Sequence, residues 1–155
     1  MTNNMRRLLL SPLLLLVLNL QALAQPPSHF MGARWGMSIE ETREVIKSEA
    51  KRVTQDDTKG DTPVLYAKGI FLGSQANFSY FFTPKSKRLY RVDVTFNDSR
   101  MYEKAKAYLI KRFSKPTSAR QNIDQWMWGD KNRIELKKEP GQVLLSYSSS
   151  LPSAF

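Results

Sequence analysis

The stretch "QANFSYFFTPKSKRLYRVDVTF", residues 75–96, decides the fold. Along Gln75–Thr83, the residues Ala76, Phe78, Tyr80 and Phe82 fall on one side. Along Arg88–Phe96, Tyr90, Val92, Val94 and Phe96 share a side, and Arg91, Asp93 and Thr95 take the other. A period of two residues is the signature of a half-buried strand. Pro84-Lys85-Ser86-Lys87 between them is turn chemistry. The two segments read as an antiparallel hairpin with one apolar and one polar face.

Working outward, Val64–Phe71 reads as a further strand, with Gly69 a bulge or bend. Downstream, Asp98 or Ser99 caps a helix running to Phe113. Its stripe Tyr102, Ala105, Leu109 and Phe113 faces a core, and Lys104 and Lys111 project from the opposite side. Pro116 closes the helix. Three short strands follow, Gln125–Trp128, Asn132–Lys138 and Gln142–Ser148, separated by turns at Gly129-Asp130 and Pro140-Gly141. Ile134 with Leu136, and Val143 with Leu145 and Tyr147, supply their apolar faces.

Upstream, Ser38 and Glu41 form an S-x-x-E capping box, and Glu40, Glu41 and Glu44 sit near the positive end of the helix dipole. The Glu cluster therefore starts a helix, Ile39–Ala50. Trp35 and Met37 fold over the core edge, with Gly36 permitting a sharp turn. Lys51–Asp61 reads as a polar connection. Its "DDTKGD" lacks the alternating acids and final Glu of a calcium loop.

The expected fold is α+β: two helices packed on one face of an antiparallel sheet, in the order α-β-β-β-α-β-β-β, compatible with a duplicated unit. Residues 38–148 make a single domain. Residues 25–37 are its lead-in and residues 149–155 a flexible tail. The other sheet face is left open to water or a partner.

Residues 1–24 read as a signal peptide. Arg6 and Arg7 precede the apolar run Leu8–Leu20, and Ala22-Leu23-Ala24 supplies small residues for cleavage after Ala24. The run is shorter than the ~20 apolar residues of a membrane anchor and is interrupted by Ser11, Pro12 and Asn19. Removal of residues 1–24 leaves 131 of 155 residues and no transmembrane helix. It also takes two of 24 basic residues, leaving 22 against 14 acidic, a net charge of +8. The absence of cysteine excludes a lipid-anchored terminus, thiol catalysis and disulfides, and points to a bacterial periplasm or medium. Two N-x-S sequons, at Asn77 and Asn97, matter only in a eukaryotic host. The charge points to anionic envelope surfaces or an acidic protein, and the compartment argues against nucleic acid.

Little here carries chemistry. The one histidine, His29, lies in the lead-in, away from any rigid element of a triad or zinc site. Gly69-x-x-x-Gly73 lacks the Gly-Lys-Ser of a phosphate loop. No carboxylate pair is singled out for hydrolysis. No catalytic, metal or cofactor residue is assigned. In "QWMWGD", Trp126 and Trp128 share a side: they are core if they face the helices and a partner anchor if they face outward. The candidate partner-binding residues are Trp126, Trp128, Arg88, Arg91, Lys104 and Lys111.

"FMGARWGMSIEE" (residues 30–41), then "RLYRVDVTF" (88–96), a helix, and "W…IEL…VLLSYSS" (128–149) together resemble small exported bacterial proteins of unknown function. The order of elements is more distantly similar to the β-lactamase-inhibitor-protein-like fold and the small outer-membrane assembly lipoproteins. That resemblance implies binding to other proteins without chemistry. This chain departs from the lipoproteins in lacking the lipidated cysteine. The resulting expectation is an exported, non-enzymatic domain that binds a protein or an anionic envelope component. Inhibition of a secreted enzyme is the alternative, and a hydrolase of its own the third.

Overall fold

The computed structural model describes residues 25–150; the expected signal peptide and residues 151–155 of the expected tail lie outside the described residues. Eight strands form one antiparallel sheet. They are β3 (Arg52–Asp56), β4 (Val64–Phe71), β5 (Ser74–Phe82), β6 (Leu89–Phe96), β7 (Ser118–Arg120), β8 (Ile123–Trp128), β9 (Asn132–Glu139) and β10 (Gln142–Ser149), in the spatial order β3-β4-β5-β6-β10-β9-β8-β7. Before them come a two-stranded hairpin, β1 (His29–Phe30) with β2 (Ala33–Arg34), and helix α1 (Ile39–Ser48). Helix α2 (Met101–Phe113) joins β6 to β7. The chain is thus α+β and mostly strand.

The element order departs from expectation: each helix is followed by four strands, not three. The additional strands are the two sheet edges, β3 and β7. An edge strand needs few apolar residues, because one side of its ladder is unpaired. In β3 only Val53 packs on the core and the other four residues are exposed, so composition reads it as a polar connection.

The hairpin of residues 75–96 forms as the alternation requires, with Phe78 opposite Val94 and Tyr80 opposite Val92. The register shifts between Phe81 and Phe82, so that Phe82 faces Leu89. Leu89 is consequently buried, and Tyr90, expected on the core side, is half-buried. The rows continue across the sheet. Val92 pairs with Tyr147, Tyr147 with Ile134, and Ile134 with Trp126. All four are at most 2% exposed. Helix α2 adds Tyr102, Ala105 and Leu109 to this core, and α1 adds Ile46.

Ser38 caps α1 as its spacing demands. Its hydroxyl accepts from the Glu41 amide at 3.2 Å, and the Glu41 carboxylate accepts from the Ser38 amide at 2.7 Å. The bond from the Ser38 amide, and then the Ser38 side chain, hold the Glu41 carboxyl pKa below its ordinary value. Helix α2 has no side-chain cap. Asp98 accepts from the Arg100 amide at 2.9 Å and from its guanidinium, fastening the turn just before the helix.

The lead-in is part of the packing. Phe30 is 3% exposed and meets Tyr147 and Phe71 with ring centroids 4.6 and 5.4 Å away. The Gly36 amide donates to the Leu89 carbonyl and the Leu89 amide to the Met37 carbonyl, each at 2.8 Å. Trp35 and Met37 lie against the core edge, as their position suggests.

Gly69 is neither a bulge nor a bend: it pairs in unbroken register with Ala76. It makes room for a neighbour. A Cβ there would stand 2.7 Å from the Lys51 Cγ. Lys51 is 6% exposed, and its Nζ lies 5.1 Å from the Phe78 ring centre with no hydrogen-bond partner.

Candidate interaction surface

The residues that alternate with the core form the opposite face of the sheet. One polar row crosses all eight strands, from Gln55 on β3 through Tyr66, Ser79, Asp93, Ser146 and Glu135 to Gln125 and Ser118. Its centre is a fixed network. Arg91 donates twice to Asp93, Nε to Oδ1 at 2.8 Å and Nη2 to Oδ2 at 2.5 Å, and Ser146 donates to the same Oδ1 at 2.6 Å. Gln125 donates to Glu135 at 2.7 Å. The paired carboxylate keeps the Arg91 guanidinium pKa above its ordinary value, chiefly through their hydrogen bond.

The flanking rows are mixed. On one side lie Phe81, Arg91, Ser148, Arg133 and Met127, with the Arg91 guanidinium 4.9 Å above the Phe81 ring. On the other lie Lys68, Asn77, Thr95, Leu144, Lys137 and Ile123. Met127 is 46% exposed and Ile70, further along β4, 54%. A recess of about 440 Å³ opens beside Met127, Lys131, Arg133 and Ser148. A second, of about 510 Å³, opens between Lys68, Asn77 and Asn97. Six basic side chains register on this face: Arg52, Lys68, Arg91, Arg120, Arg133 and Lys137. Three acidic ones join them, each already engaged: Asp93 with Arg91, Glu135 with Gln125, and Glu139 with Lys137 at 2.7 Å. The face is therefore polar at its centre, apolar in patches and net positive.

The structure disperses the six residues singled out from the sequence. Trp126 lies in the core, 1% exposed, its indole N–H donating to the Ser114 carbonyl at 2.9 Å. That takes it off the accessible surface. Trp128 is half-buried, edge-on to Phe113 with centroids 5.5 Å apart. Arg91 is at the centre of the open face. Arg88 is exposed beside the lead-in and donates to the Gly36 carbonyl at 3.3 Å. Lys104 and Lys111 are exposed on α2. His29 is exposed on β1 with the Ser28 hydroxyl 3.1 Å from its Nδ1.

Behind the sheet, Asp124 is 1% exposed, accepting from the Tyr102 hydroxyl at 2.7 Å and pairing with Lys106 at 2.9 Å. Burial, then the bond to Asp124, pushes the Tyr102 hydroxyl pKa well up. This cluster fastens α2 to β8, and its burial keeps substrates from the carboxylate. Sequence reasoning missed it, although Asp124 stands two residues before Trp126 and so shares its face. Among the described residues no group of three His, Asp or Glu side chains is placed to hold a metal ion, and no helix is long and apolar enough to cross a membrane.

No family model, curated protein or solved structure matches this chain.

Proposed function

We propose that this chain is an exported, non-enzymatic binding domain. In this reading both helices cover the core face of the sheet, and the opposite face docks an acidic protein partner. The carrying observation is that this face combines exposed Ile70 and Met127 with a surplus of basic over acidic side chains. Size agrees. Eight strands at ~4.8 Å spacing and about 25 Å of strand length give roughly 850 Å², one side of a standard interface. The prearranged Arg91–Asp93–Ser146 network gives such a partner fixed polar contacts at the centre, where ordering costs least. A secreted enzyme held by this face is the inhibitor form of the same reading.

The test has two steps. Mass spectrometry of the native protein should show a chain beginning at Gln25; an intact Met1 recovered from the envelope refutes export. A partner captured from envelope extract is then titrated against wild type, Met127→Asp and His29→Ala. Loss of affinity in Met127→Asp alone supports the open face. Equal affinity in wild type and Met127→Asp refutes it, and loss of a measured activity in His29→Ala favours an enzyme.

A further inference from the structure

The surplus charge is unevenly placed. Helix α1 carries Glu40, Glu41 and Glu44 with only Arg43 and Lys47 to balance them, and Arg43 is engaged by Glu40 and Asp56. Helix α2 and its flanks, residues 100–115, carry six basic residues and a single acid, Glu103. Of these, Lys106 is spent on buried Asp124 and Arg100 on Asp98. Lys104, Lys111, Arg112 and Lys115 remain exposed. Lys104 and Lys111 stand about 10 Å apart along the helix axis. Between them Ala107 is exposed and Ile110 is 37% exposed.

We propose that the outer face of α2 seats the protein on an anionic phospholipid bilayer, leaving the open sheet face turned away from the lipid. The second clause rests on the function proposed above; the first does not. The apolar stripe of α2, Tyr102, Ala105 and Leu109, is already buried in this chain's core, so the helix has no groove-filling face left for a protein. What it presents is convex: long cationic side chains around one small apolar contact. A plane of mobile anionic headgroups suits that shape, since lipids rearrange beneath the lysines and no preformed pocket is required. Held in this way, the domain joins a membrane on one side to a protein on the other.

The test is co-sedimentation of the exported protein with vesicles of phosphatidylglycerol and phosphatidylcholine, against phosphatidylcholine alone. Binding should require phosphatidylglycerol and vanish at about 1 M salt, where screening falls to ~3 Å. Each lysine near an anionic surface is worth roughly fivefold in partition, so Lys104→Gln with Lys111→Gln should weaken binding about 25-fold. Both residues are exposed, and an unchanged denaturation midpoint shows that the variant folds. Met127→Asp should leave vesicle binding intact, which separates this proposal from the one for the sheet face. Equal binding to neutral vesicles overturns it, as does indifference to the double substitution. Displacement from vesicles by soluble polyphosphate at equal charge also overturns it, in favour of a polyanion.

Discussion

Replacing Lys51 by Met should make the protein more stable. Lys51 is 6% exposed, and its buried ammonium lies over the Phe78 ring with no hydrogen-bond acceptor. An unsatisfied buried donor costs about 1–3 kcal/mol, and more when charged. A cation–π contact returns roughly 0.5–2 kcal/mol. Met keeps the length of the stem that fills the space over Gly69, discards the charge and places sulfur near the same ring, a contact worth about 0.3–1.5 kcal/mol. The net expectation is a gain of about 1–2 kcal/mol, or roughly 4 °C per kcal/mol in Tm for a domain of this size.

The pH dependence supplies the sign. Burial lowers the Lys51 pKa from its ordinary value, and the charge of Glu49 opposes this only in part. Below the lowered folded value both states are protonated and the penalty is felt in full. As pH climbs from there towards the unfolded value of 10.5, the folded state sheds its proton first and the penalty is relieved. Wild-type stability should therefore carry a rising component through that window, and Lys51→Met should lack it. Urea denaturation across alkaline pH measures both quantities. A Met variant less stable than wild type, with the same pH slope, would refute the reasoning and mean that the ammonium has a partner.

Three further outcomes are expected. Ser38→Ala should lose about 1 kcal/mol of stability by denaturant midpoint, because one helix-start donor is left unsatisfied. Asp56, held at a pKa of about 2 by hydrogen bonds from Thr58 and then Arg43, links the first turn after β3 to α1; its contribution is present above pH 3.8 and should fade as pH falls towards 2, a fade missing in Asp56→Asn. Trp126→Phe should cost about 1–3 kcal/mol through the lost bond to Ser114 and the lost volume, with partner affinity unchanged because the indole is inside.

What could be read in advance follows from how many rows of residues an element must satisfy. Central strands β5, β6, β9 and β10 bury one face, so period two is written plainly in Phe78, Tyr80, Val92, Val94, Leu145 and Tyr147. The α1 cap is local, fixed by two residues three apart, and is equally plain. Edges carry weaker constraint: β3 needs one apolar residue and β7 has three residues in all. The one-residue shift opposite Phe82, which exchanges Leu89 for Tyr90, occurs where the lead-in bonds to Leu89, and no local pattern encodes that pairing.

The site was less legible, for a related reason. A surface made of single residues from eight strands has no sequence motif, because its members are far apart in the chain and adjacent only through register. Arg91 was readable as outward-facing beside Asp93, but Ser146, which completes the network by donating to Asp93, stands 53 residues further on, and only the β6–β10 pairing brings it there. Trp126 and Trp128 drew attention as large aromatics, yet a strand's parity says which residues share a side and not which side is wet. Charge misled differently. The net +10 of the full sequence looks like one property of the chain, whereas the described fold gathers cations on an open face with its acids already paired and on an α2 surface with four exposed cations. In the proposed arrangement those two surfaces look in different directions, so Met127→Asp and the Lys104–Lys111 pair should fail different assays. One ligand abolished by both sets of changes would mean that a single partner wraps the sheet edge, and the two-sided arrangement would fall.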